Sequence, residues 1–260
     1  MLWRDILSII RHPNQLASRL VQCLLITIVI GALFWKLGND YTTLEGLSKS
    51  FYSKNGALFF LGVAGFFASM SPVILTFPLE KAVFLKEHGN KMYSVFSYFL
   101  SRNISEFPLM LFGTVASSLI MYWMIGLRSG VGYFFMFNFI TLLANLAGNA
   151  YGFLMGSFFN DAKVATGVLP MVVLPLMIFS GFFKNRADLP GWAGWLEYIS
   201  PMKYSFIEFA TNEYRNTTAP IYLLNFDVSF WLSVGLMVVL IVVTKILTIV
   251  VLSLMKSRLQ

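Results

Sequence analysis

The sequence predicts an all-α membrane protein. It has six transmembrane helices, a cytoplasmic helical element, and a long, partly helical last extracellular loop. Three observations predict this class. The chain is 57% hydrophobic and 17% aromatic but only 12% charged, about half the charge of an ordinary soluble domain. Its 26 phenylalanines are more than a soluble core of this size hides. Apolar stretches of about 20 residues, the length that crosses a bilayer, recur at about 20–37, 56–78, 107–127, 132–159, 164–183 and 230–255. No internal repeat, low-complexity tract or soluble domain interrupts them, so residues 1–260 read as one transmembrane domain.

The opening segment MLWRDILSIIRHP is basic and amphipathic and lacks the pattern of a cleavable leader. The first span holds Cys23, the only cysteine, so no internal disulfide forms. The second carries Phe59, Phe60, Phe66 and Phe67. The fourth carries Gly148, Gly152 and Gly156 at four-residue steps, a spacing that lets helices approach closely. Packing within the chain is favoured over a dimer seam as its use. Pro170 and Pro175 interrupt the fifth span and are expected to kink it. The last loop, 184–229, mixes aromatic residues with single charges, which suits short helices lying at the outer surface or dipping into it. Lys245 falls inside the sixth span. Snorkelling and pairing with a polar group both remain open for it.

Between the second and third spans lies a polar island, residues 80–108, with seven charged residues: Glu80, Lys81, Lys86, Glu87, Lys91, Arg102 and Glu106. A bilayer core does not hold such a segment. Tyr93, Phe96, Leu100, Ile104 and Phe107 recur at helical steps, and Ser94, Ser97, Ser101 and Ser105 mark a second, polar face. A structured, charged helical element of this kind is expected to dock onto a partner.

Six spans put both termini on one side. That side, with the island, carries ten Lys or Arg against eight on the other. The bias grows once the long last loop is discounted, so both termini and the island are expected in the cytoplasm, with the plasma membrane as the location. The sequon at Asn216 then falls outside, where glycosylation is possible. The net charge of +7 is scattered over loops, which points to the anionic leaflet and not to nucleic acid.

Several chemistries have no motif here. There is no G-x-x-x-x-G-K-[ST] loop, no H-E-x-x-H and no C-x-x-C, and no catalytic or metal-ligating residue is proposed. Every Asp and Glu falls in a loop or at a span end, and almost no paired polar groups are expected at depth. This disfavours an ion-coupled carrier and a membrane-embedded enzyme, so a pump of this design takes its energy from elsewhere. A channel or receptor is disfavoured by the structured island and the absence of a polar pore stripe.

The segment R-H-P-N-Q-L-A-S-R-L-V-Q with G-A-L-F-W-K-L resembles the first span of the ABCG (White-type) half-transporters, a group of type-2 ABC exporters. The island E-K-A-V-F-L-K-E-H…Y-F-L-S-R-N-I-S-E-F-P is similar to their first cytoplasmic loop. The run I-F-S-G-F-F…L-P-G-W…W-L-E-Y-I-S-P-M-K-Y-S-F…N-E-Y is similar to their fifth span and last loop. The resemblance spans nearly the whole chain and rests on the order of these fragments. It implies a homo- or heterodimer that exports a lipophilic compound or lipid by alternating access. The energy would come from ATP, with Mg, on a nucleotide-binding domain either fused or supplied as a separate chain. A two-chain exporter of polysaccharide or drug is the alternative. The resemblance further implies a coupling helix over 79–92 with Glu80, Lys81, Lys86 and Glu87 as contacts. The substrate cavity would be lined by Phe59, Phe60, Phe66, Phe67, Met171, Val173 and Met177. An outward gate would form at Phe182 and Phe183, where some members carry two leucines. The outer loop has no cysteine, which departs from members that link their dimer covalently.

Overall fold

The computed structural model describes residues 13–37, 44–89, 94–183, 194–215 and 228–257. The described residues form helices and connecting turns. In chain order the helices are α1 (Pro13–Leu33), α2 (Leu44–Gly89), α3 (Val95–Ile125), α4 (Val131–Phe158), α5 (Ala162–Ile178), α6 (Leu196–Ile199), α7 (Pro201–Tyr214) and α8 (Phe230–Ser257). Four contain segments long and apolar enough to cross a membrane: Phe51–Lys81, Val95–Ile125, Val131–Phe158 and Phe230–Met255. Two shorter apolar helices, Leu20–Leu33 and Ala162–Ile178, occupy the first and fifth predicted spans. The chain is thus an integral membrane helical bundle.

The largest departure from the sequence reading concerns the island. Residues 79–89 are not a separate coupling helix but the end of α2, which runs unbroken for 46 residues, about 70 Å at 1.5 Å per residue. The physical cause is local. Pro72 and Pro78 are absorbed within the helix, and Leu79–Glu87 is mostly strong helix formers. The helix ends only at Gly89. The second half of the island is the start of α3, which Ser94 caps by accepting a hydrogen bond from the Ser97 N–H at 3.1 Å.

The amphipathic faces of that segment are inverted relative to a soluble helix. Phe96, Leu100, Ile104 and Phe107 do share a face, and it is the exposed one, whereas Ser101 and Ser105 are buried. Lipid is as apolar as a protein core, so an outward apolar stripe costs nothing there, and the inward face can be small and polar. Tyr93, the first member of the predicted stripe, lies outside the described residues.

The glycine stripe of α4 is used inside the chain. A Cβ on Gly148 would stand 2.0 Å from the Phe66 carbonyl oxygen of α2. At Gly152 and Gly156 the closest α2 atoms, from Met70 and Phe77, would be 3.0 Å away. This close crossing makes α2 and α4 the central pair of the bundle. α5 passes through Pro170 and Pro175 as one helix. The last loop holds α7, in which every residue except Thr211 is buried. It dips into the bundle against α2, α4 and α8, one of the two placements expected for it. The sequon at Asn216 lies outside the described residues.

Candidate functional site

Two clusters on α2 gather some of the residues singled out from the sequence. The first is aromatic. α5 ends at Ile178, and Gly181 turns the chain with φ +83°, a left-handed conformation that side-chain-bearing residues rarely adopt. The turn carries Phe182 back onto α2, where its ring stacks on Phe59 at 4.6 Å and 5°. Phe183 meets Phe59 edge-on at 5.4 Å. Phe206 of α7 closes the cluster against Phe182 at 5.6 Å. Residues expected in the cavity (Phe59) and at the gate (Phe182, Phe183) therefore form one contact group.

The other cavity candidates do not share one surface. Phe66 and Val173 are buried, Phe66 packing on Tyr151 of α4. Phe60 and Met171 are exposed, and Phe67 and Met177 are half-buried. Phe60 and Phe67 lie seven residues apart, on one face of α2.

The second cluster is charged and lies about 21 residues further along the same helix, roughly 32 Å away. Arg102 of α3 is the hub. It pairs with Glu80 of α2 at 2.7 Å and with Glu106 one turn along α3 at 2.9 Å. Asn149 of α4 donates to Glu106 Oε2 at 3.0 Å. Lys245 of α8 is half-buried within electrostatic reach of Glu106. Beside this network Lys81 is fully buried. Its ammonium donates to the Ser157 and Phe159 carbonyls at 2.9 and 2.8 Å, capping the C-terminal end of α4. Lys86 is exposed and Glu87 half-buried near the end of α2. The remainder of the expected coupling segment, from Asn90 to Met92, lies outside the described residues.

The expectation that almost no polar groups pair at depth is corrected. Glu106 sits within α3 and is 6% exposed. α7 brings more charge inside: Glu213 pairs with buried Lys54 at 2.8 Å and accepts from the Arg128 N–H at 3.0 Å. Glu197 pairs with Lys203 at 2.5 Å. Glu208 is fully buried, with Ser233 Oγ donating to it at 3.4 Å. The Arg102–Glu106 spacing of four was readable on a predicted helix. So was the Asn145–Asn149 spacing. The loop carboxylates were not, because nothing local marks a loop helix as buried. Among the described residues no group of His, Cys, Asp or Glu has metal-site geometry.

Fold and site together define a helical membrane domain whose inward faces are joined by ion pairs and side-chain amide hydrogen bonds. The chain belongs to the ABC-2 type transporter membrane family, whose model matches residues 1–214. Its relatives are White and G-family proteins. It is 34% identical to "Protein white" of Drosophila melanogaster, over 79% of this chain and 29% of that protein. It is 29% identical to "ABC transporter ATP-binding protein/permease wht-1" of Caenorhabditis elegans, over 82% and 31%. It is 27% identical to "Broad substrate specificity ATP-binding cassette transporter ABCG2" of Sus scrofa, over 81% and 31%. The chain spans about a third or less of the length of these curated relatives.

Proposed function

We propose that this chain is the six-span permease domain of an ATP-driven exporter, working as a homo- or heterodimer to move a lipophilic compound or lipid by alternating access. ATP and Mg bind a nucleotide-binding domain, fused or separate, and both termini of the membrane domain face that side in the plasma membrane. The observation that carries this reading is the continuity of α2. One continuous helix joins the charged cluster at Glu80 and Lys81 to the aromatic cluster at Phe59, Phe182 and Phe183. A push on Glu80, Lys81, Lys86 or Glu87 is carried along α2, past Pro72 and Pro78, toward the aromatic end. Phe182 and Phe183 act as the outward gate, and the exposed Phe60 and Met171, with Phe67 and Met177, offer apolar surface to substrate. The buried Phe59, Phe66 and Val173 support that surface from behind.

The test uses the transporter assembled with its ATPase. Glu80→Arg is expected to leave ATP hydrolysis running while transport falls at least tenfold. Glu80→Asp, which keeps a carboxylate opposite Arg102, is expected to retain transport. Wild-type transport in Glu80→Arg, with hydrolysis still coupled, overturns the reading.

A further inference from the structure

The face that α2 turns to α4 repeats at three- and four-residue steps: Phe66, Met70, Val73, Phe77 and Lys81. The first four lie against Gly148, Gly152 and Gly156. Lys81 is the next step, where α4 ends and its last carbonyls lack partners within the helix. An ammonium has three protons, and three acceptors surround this one. They are the Ser157 carbonyl at 2.9 Å, the Phe159 carbonyl at 2.8 Å and the Met255 sulfur of α8 at 3.9 Å. The side chain is 1% exposed, so it offers nothing to a partner protein. A buried ammonium is tolerated only when its protons are used, which fixes α2 against the end of α4 at this point.

That point is also the foot of α5. Only Asn160 and Asp161 separate the clamped Phe159 carbonyl from the first residue of α5. Asp161 caps α5 by accepting from the Lys163 N–H at 2.9 Å. From there α5 runs to the Gly181 turn, which sets Phe182 on Phe59 of α2 at 4.6 Å. α2 and α5 are therefore tied at both ends. Between the ties Pro170 and Pro175 each remove a hydrogen bond from α5, so α5 yields there first. The neighbouring Glu80 pairs with Arg102 of α3 instead.

We propose that Lys81 is a positioning residue: it locks the foot of α5 to α2, so that displacement of the charged end of α2 is carried along α5 to Phe182. Its use in a transport cycle rests on the reading above, in which the push is then received at Glu80, Lys86 and Glu87 and handed on at Lys81.

Spin-label distances test this in the transporter assembled with its ATPase in lipid nanodiscs. The background is Cys23→Ala, since Cys23 is the only cysteine, and labelled chain is diluted with an excess of unlabelled chain. One pair of cysteines replaces exposed Val83 and Val164 at the feet of α2 and α5; another replaces exposed Leu33 and Ile178 at the far ends of α1 and α5. Without nucleotide the wild type is expected to give one narrow foot distance. Lys81→Met, which keeps the apolar stem and removes the N–H groups, broadens it by about 2 Å, the size of a helix shift. With Mg-ATP and vanadate the far pair shifts in the wild type and stays in place in Lys81→Met. Two glycines inserted after Asn160 lengthen the turn and leave the Lys81 bonds intact. This variant is expected to lose the far shift as well, and it decides if Lys81→Met fails to fold. Equal foot distances in wild type and Lys81→Met, or a wild-type far shift in either variant, overturn the proposal. A far pair that stays still in the wild type, while the foot distance depends on Lys81, overturns the transport reading and leaves the lock standing.

Discussion

Glu213 shows how much one carboxylate of a loop helix holds. It serves the Lys54 ammonium and the Arg128 N–H, and it and Lys54 are both almost fully buried. Removing one partner of a buried pair leaves the other charge without compensation, a loss of about 3–5 kcal/mol. Glu213→Ala is therefore expected to lower the thermal unfolding midpoint sharply. Glu213→Gln keeps the acceptor for the Arg128 N–H and costs less. Glu208 behaves differently, because among the described residues no cation pairs with it. Burial pushes its carboxyl up to about 8, with the Ser233 hydrogen bond pulling slightly the other way. α7 is not one of the spanning helices, so bulk pH reaches its unfolded form. The folded state then holds a proton that the unfolded state releases near 4.5. Stability from this group is complete below about 4.5 and declines as pH rises toward 8. Unfolding midpoints measured from pH 5 to 9 are expected to fall in the wild type and to fall less in Glu208→Gln. Equal slopes would remove Glu208 as the cause.

Among the elements, the α2–α4 crossing is fixed by the absence of a side chain. At Gly148 the obstructing atom is a backbone oxygen, so the neighbour cannot rotate away. Gly148→Ala is expected to destabilise the bundle by about 1–3 kcal/mol, as overpacking does. Gly167→Ala, on the exposed side of α5, is expected to stabilise slightly, by about 0.5–1 kcal/mol. Chemical unfolding in detergent compares the two, and similar gains at both would show that helix propensity dominates and not the crossing. The glycine spacing was visible in the sequence; the partner helix was not, since a small-residue stripe fits any smooth helix face. The same limit applies to α7. Its amphipathic composition allowed a surface or a buried position, and only the fit of Phe206, Phe209 and Tyr204 against α2, α4 and α8 decided for burial.

Across the whole molecule, charge runs from α2 to α4 through Glu80, Arg102, Glu106 and Asn149. Burial differs along it, and so does the expected cost of breaking it. Glu106→Gln is expected to lower the unfolding midpoint by several degrees, since a desolvated charge loses its match. Glu80→Gln, whose side chain is 34% exposed, is expected to change it little, because solvent screens such pairs. A larger loss at Glu80 than at Glu106 would contradict this ordering.

By itself the sequence determined the class. Apolar runs of bilayer length, scarce charge and a polar island admit a helical membrane bundle and no soluble fold, because backbone groups in lipid must be satisfied within helices. Residue order likewise determined the resemblance to the White-type family, which the match over residues 1–214 bears out. Tertiary structure decided which polar residues are buried and with whom. It merged the island into the ends of α2 and α3, turned the Phe96–Phe107 stripe outward, and brought Glu80 to Arg102 and Phe59 to Phe182. Those pairings join residues 22 and 123 positions apart in the chain. Helical periodicity records only neighbours three and four residues away, so no local pattern could announce them.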